Sequence, residues 1–222
     1  MFEQTQLSLI QTICIYALPV LFAIVVHEVA HGWMASKFGD KTALLLGRLT
    51  LNPLKHIDLF GTIIIPLVLL MTGSGFIFGW AKPVPINPRN FRNPTKAMPW
   101  VAAAGPLANL MMALLWAIIA KGGLWLLHQQ LSFALPIVLM GKIGIDINLI
   151  LMLLNLIPIP PLDGSRILMA FLPKQAQYRY ARFEPYGLIL LLILLMTGLL
   201  GSILWPCIVI LQTLISALFG LR

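Results

Sequence analysis

Val25-Val26-His27-Glu28-Val29-Ala30-His31-Gly32 is the stretch on which the rest of the chain depends. It reads H-E-x-x-H. On a helix, His27 and His31 project from one face, one turn apart. Two imidazoles at that spacing can bind one zinc ion, and Glu28 can reach a water on the metal's open position. The short pattern alone recurs by chance. Its setting changes its weight: Leu7 to Val26 is almost wholly apolar, and ionisable groups inside a membrane helix are costly and rare without a use.

The composition agrees with that setting. The chain has 222 residues, 59% hydrophobic and 10% charged, with a mean hydropathy of +0.93. Soluble domains carry about 25% charged residues. An integral membrane protein is expected, with little room for a soluble domain. Cys14 and Cys207 lie in apolar runs, which offers neither a disulfide framework nor a cysteine zinc site. The net charge of +8 reads as a sign of orientation, since basic residues collect on cytoplasmic loops, and not as a sign of nucleic acid. The N-terminus has no basic region of the kind that opens a cleaved signal peptide.

Outward from the motif, the first helix is expected over Leu7 to Phe38, with Pro19 tolerated inside it. About 20 residues cross the hydrocarbon, so His27 and His31 fall in the last turns before the far face. Twelve of the 15 Lys and Arg lie in two loops, Lys37 to Lys96 and Arg166 to Arg182. Both loops are therefore expected in the cytoplasm, with the N-terminus outside. Phe60 to Met71 is apolar for only 12 residues, which suits a re-entrant or interfacial helix better than a crossing. The flanking pieces, Ala43 to Leu51 and Gly75 to Ile86, look strand-like and are expected to pair in a small cytoplasmic-side sheet.

Pro83, Pro85, Pro88, Pro94 and Pro99 mark an irregular loop, after which Trp100 to Leu127 forms a second core helix. Gly105 and its small neighbours permit close helix packing, and Asn109 is a polar group at membrane depth that needs a partner. Leu131 to Ile157 returns to the cytoplasm, with Lys142 and Asp146 spaced as an i, i+4 pair. Pro158, Pro160 and Pro161 then break the helix at the depth of the first motif. Asp163 follows, and it is the best third ligand for a metal that wants three protein donors and one open position. Gly187 to Leu221 reads as two shorter membrane segments in a hairpin, interrupted by Gly198, Gly201 and Pro206.

His27-Glu28-x-x-His31, Gly105-Pro106-x-x-Asn109 and Asn155 with Pro158, Pro160 and Leu162-Asp163-Gly164 occur in an order that resembles the site-2 protease family of intramembrane zinc metalloproteases. Leu51 to Asp58 and Gly79 to Pro85 resemble its compact prokaryotic branch without a PDZ domain. Only Leu127 to Leu131 joins the second and third core helices. The resemblance implies that His27, His31 and Asp163 bind one Zn2+ and that Glu28 is the general base. It also implies that Asn155 holds the substrate backbone and that Asn109 is a second substrate-binding position. It implies transmembrane protein substrates, regulated intramembrane proteolysis, and a regulatory or adaptor membrane protein to select what is cut.

The expectation is thus an all-α polytopic membrane protein forming one membrane-embedded peptidase domain over 1–222. Three core transmembrane helices surround a zinc site within a core of about 7–172, with a small β element, a re-entrant helix and a C-terminal hairpin over about 185–221. The inner cell membrane is its expected place, in contact with lipid, the active site facing the cytoplasmic side. A metal transporter would use the same ligands as a transit site, but it would not need Glu28, and no second metal site marks a path. A scaffold that binds helices without cutting them would tolerate Glu28→Gln.

Overall fold

The computed structural model describes residues 9–72, 79–131 and 133–221. Among them every regular element is helical, and no strand occurs. Helix α1 (Leu9–Lys37) keeps Pro19 in its interior. It ends at Gly39, whose φ of +111° suits glycine. The short α2 (Thr42–Leu45) follows. A π-helical stretch, Leu59–Ile64, runs into α3 (Ile65–Met71), and the Asp58 carboxylate accepts from the Gly61 N–H at its start (2.7 Å).

Helix α4 (Pro94–His128) begins earlier than the expected Trp100. The Asn93 side chain accepts from the Lys96 N–H, and Pro94 occupies the first helical position, where its missing N–H costs nothing. Pro99 and Pro106 lie inside the helix. Helix α5 (Ala134–Leu156) returns antiparallel, and α6 (Asp163–Met169) opens on Asp163 itself. Helices α7 (Lys174–Ala181), α8 (Glu184–Met196) and α9 (Leu199–Phe219) complete the chain. Gly198, at φ +73°, separates α8 from α9, so the C-terminal apolar run is two helices.

Helices α1, α4 and α5 pack on one another and form the core; α6 docks on α4 and α5. Bare glycines let α4 and α5 approach. A Cβ on Gly141 would lie 2.6 Å from the Ala120 Cβ, and one on Gly144 would overlap the Trp116 ring. Helix α9 closes the other side, placing Ile215 in a cluster with Ala113, Trp116, Ile145 and Leu149. Gln212 of α9 donates to the Asp146 carboxylate (2.6 Å). Lys142, one turn away, also acts electrostatically on this carboxylate, as the sequence spacing suggested.

Among the described residues, four stretches are long and apolar enough to cross a membrane: Gln11–Lys37, Pro94–His128, Ala134–Leu156 and Leu199–Phe219. Leu59–Leu69 and Glu184–Met196 are shorter. At 1.5 Å per residue, the 13 residues of α8 span about 20 Å against a hydrocarbon core of about 30 Å.

The expected sheet is absent among the described residues. Thr42–Leu45 is a helical turn, and residues 79–87 are irregular; the part of the second expected strand over 75–78 lies outside the described residues. The reason is chemical. Pro83 and Pro85 have no N–H, so this segment cannot donate to a ladder at those positions. It is instead fastened point by point. Trp80 N–H donates to the Gly61 carbonyl (3.0 Å) and Lys82 N–H to the His56 carbonyl (2.9 Å). The Arg48 guanidinium donates to the Lys82 and Pro83 carbonyls (3.0 and 3.3 Å). Asn87 N–H donates to the Asp40 carboxylate (2.6 Å). His56 is buried here, with its Nε2 on the Thr50 carbonyl.

Candidate active site

Helix α1 presents His27 and His31 from one face, as the i, i+4 spacing requires. Their rings meet edge to face with centroids 4.6 Å apart, and both are under a tenth exposed. Their Nε2 atoms are 3.0 Å apart. Asp163 Oδ2 is 3.3 Å from His27 Nε2 and 3.2 Å from His31 Nε2. Within the described residues, His27, His31 and Asp163 form the one group of three that could hold a metal, with donor atoms within 4.8 Å of one another.

The partners behind the rings decide what faces forward. His27 Nδ1 is 2.6 Å from Asn109 Oδ1, and His31 Nδ1 is 2.7 Å from the Val101 carbonyl. Both are acceptors, so each neutral ring carries its proton on Nδ1. Both Nε2 atoms then offer lone pairs to the point that Asp163 Oδ2 also faces. That oxygen is buried and has no hydrogen-bond donor. Three electron pairs converging without a proton repel one another. A bound divalent cation resolves this, and the nitrogen and oxygen donor set suits zinc.

One stripe of α4 makes this arrangement. Val101, Gly105 and Asn109 recur every four residues and so share a face. Val101 supplies the carbonyl for His31, and Asn109 the amide for His27. Gly105 supplies bare backbone between them: a Cβ there would overlap His31 Nε2 and come within 2.6 Å of His27 Cε1. Asn109 is fully buried, and its nitrogen donates to the Ala23 carbonyl (3.1 Å) and to Asn148 Oδ1 (2.9 Å). The amide of Asn109, expected from sequence at a substrate-binding position, is here engaged behind His27 through both its oxygen and its nitrogen.

Glu28 is half-buried beside the pair, and its Oε2 accepts from the Val84 N–H at 2.7 Å. Val84 stands between Pro83 and Pro85, so the one free amide of that triplet is the one that meets Glu28. Gly32 makes room for it: a Cβ there would lie 2.7 Å from Val84 Cγ1 and 2.6 Å from Leu49 Cδ2.

Asp163 reaches the histidines because the chain turns tightly after α5. A Cβ on Gly164 would strike the Leu156 carbonyl, so only glycine lets α6 tuck under the end of α5. Tyr180 O–H donates to the Pro158 carbonyl (2.6 Å), and Gly187 of α8 lies with bare backbone on the Pro160 carbonyl. Asn155 is half-buried in the last turn of α5, where its nitrogen donates to the Leu151 carbonyl one turn back (3.0 Å).

Sequence similarity speaks to the same residues. The description "Peptidase family M50" matches over residues 15–132 and 122–198, which takes in both histidines, Glu28 and Asp163. The chain belongs to this family, the site-2 proteases. It is 40% identical over 195 residues to YwhC of Bacillus subtilis (strain 168), provisionally named a zinc metalloprotease; the match covers 84% of this chain and 82% of that one. Rip2 of Mycolicibacterium smegmatis, provisionally named in the same way, is 29% identical over 181 residues, covering 82% of this chain and 66% of its own. Rip2 of Mycobacterium tuberculosis (strain ATCC 25618 / H37Rv) is 26% identical over 182 residues with the same coverage. No solved structure matches. As a member of family M50 the protein is a protease, and its apolar helices make it a multi-pass membrane protein.

The spacing rules reached His27, Glu28, His31 and Asp163, because ionisable side chains stand out in an apolar chain. They missed the Val101 carbonyl and the Val84 amide, since every residue carries those groups. They also missed Asn148, for which a polar residue at membrane depth was the available signal.

Proposed function

We propose that this protein is a zinc-dependent endopeptidase that cuts peptide bonds in or near the transmembrane helices of membrane proteins, as a step of regulated intramembrane proteolysis. The observation that carries this reading is the convergence of His27 Nε2, His31 Nε2 and Asp163 Oδ2 between helices of membrane-spanning length, with a carboxylate beside them. His27, His31 and Asp163 would hold one zinc ion. When bound, zinc supplies Lewis acidity toward water and the scissile carbonyl.

The chain's own groups do the rest. Val84 N–H holds one oxygen of Glu28, leaving the other to take the proton of the attacking water and return it to the leaving amine. Asn155, at the end of α5, would hold the substrate backbone. A helical substrate hides its carbonyls in its own hydrogen bonds, so it must unwind before attack. The basic loops set the orientation: both face the cytoplasm of the inner membrane, with the N-terminus outside. Residues 59–71, too short to cross comfortably, lie at or dip into the membrane surface. An adaptor or regulatory membrane protein selects the substrate.

The test uses wild type and Glu28→Gln purified in detergent, each incubated with single-span reporters, with products read by mass. Cutting inside the apolar span by wild type alone, abolished by a zinc chelator, is the expected result. Equal cutting by both proteins overturns the reading.

A further inference from the structure

We propose that Asn148 on α5 is a positioning residue for the metal site, acting through Asn109 to fix the ring orientation of His27. The inference rests on reading the histidine–aspartate cluster as a zinc site. Asn148 and Asn109 are both 0% exposed, so water cannot substitute for the partners they lack.

The orientation follows from the outer end inward. The Gly144 carbonyl can only accept, so the Asn148 amide turns its nitrogen toward it (2.8 Å). Asn148 Oδ1 then faces Asn109 and requires a donor, which Asn109 Nδ2 supplies (2.9 Å). The same nitrogen reaches the Ala23 carbonyl on α1. Asn109 Oδ1 is thereby turned to His27 Nδ1 and requires an N–H there. A neutral imidazole has one such proton, so His27 Nε2 is left as a lone pair facing Asp163. A flipped Asn109 amide would put two N–H groups face to face, or place a proton on the nitrogen that should bind metal.

The two histidines differ in this respect. His31 is oriented by a main-chain carbonyl, Val101, which no substitution removes. His27 is oriented by two side-chain amides in series across α5, α4 and α1. A change at Asn148 should therefore act on His27 and spare His31, although Asn148 hydrogen-bonds to neither.

The experiment uses the full chain in detergent, metal-free and with its histidines labelled with nitrogen-15. Ring-nitrogen shifts report the tautomers, and competition with a chelating dye reports zinc affinity. Wild type is expected to show His27 with its proton on Nδ1. Asn148→Leu is expected to move part of the His27 population to the other tautomer, leave His31 unchanged, and weaken zinc binding about tenfold or more. Asn148→Asp, a neutral acid when buried, can donate to Gly144 and accept from Asn109, and is expected to keep both properties. A wild-type His27 protonated on Nε2 overturns the proposal whatever the variants do. So does Asn148→Leu with unchanged zinc affinity and His27 spectrum, even if its melting temperature falls, because that marks a packing role only. If wild type takes up no zinc, the proposed function fails, and the His27 tautomer still decides the relay.

Discussion

Gly105 shows how much one residue without a side chain controls. The His27 and His31 rings occupy the space a Cβ would need, so Gly105→Ala should displace them while the helices persist. Zinc affinity is expected to fall at least about tenfold, with helicity by circular dichroism retained. Asp40 governs a different part. It is 1% exposed and lies outside the spanning helices. Burial works against its charge, but hydrogen bonds from Thr42, Asn90 and Asn87 outweigh that and hold its carboxyl below the ordinary value. The folded chain therefore keeps this carboxylate ionised at a pH where the unfolded chain protonates it. Its stabilisation is complete above about pH 4, the unfolded value, and is lost as pH falls through the lower folded value. Asp40→Asn should lower the melting temperature at pH 7 and flatten its decline on acidification below pH 4, as read by thermal unfolding in detergent. The histidine pattern and Asp163 were legible at this scale because charge in an apolar chain has few explanations. Asn109 was legible as a residue needing a partner, but its partner was not, because a buried amide and a substrate-facing amide look alike in sequence.

Among the elements, the segment over 79–87 departs most from expectation. The stretch looked strand-like, yet its prolines leave Val84 as a donor with no ladder to join, and that donor meets Glu28. Val84→Pro removes the N–H without altering the three proposed metal ligands. Loss of one charge-assisted hydrogen bond is worth about 1.5–3 kcal/mol, so kcat should fall about 10- to 100-fold while zinc content by mass spectrometry stays at wild type. The α4–α5 contact gives a second expectation. Gly144 has Trp116 where its Cβ would be, whereas Gly201 has nothing within 4 Å. Gly144→Ala is expected to destabilise the protein by about 1–3 kcal/mol, and Gly201→Ala to leave its melting temperature within about 1 °C of wild type. Both glycines sit in apolar helices and look equivalent in sequence; only the neighbouring helix distinguishes them.

For the whole molecule, the proposed metal ligands join distant parts of the chain, two on α1 and one at the start of α6. A cation held by all three favours the folded state by mass action. At zinc about 1,000-fold above its dissociation constant, the gain is about 4 kcal/mol. A chelator should lower the unfolding temperature of wild type and leave that of Asp163→Asn nearly unchanged; equal shifts in both would mean that Asp163 is not a ligand. The sequence by itself determined the helical, membrane-spanning class, the family, and the residues that carry charge into the apolar core. Composition, hydrophobic run length and motif spacing are local properties, and local properties suffice for those conclusions. Only the tertiary structure decided that 79–87 is a fastened, irregular segment and that Asn109 and Asn148 stand behind His27. Those outcomes depend on which backbone carbonyl, amide or bare glycine faces which side chain across separate helices. Every residue carries such backbone groups, so no pattern of residue types announces where they meet.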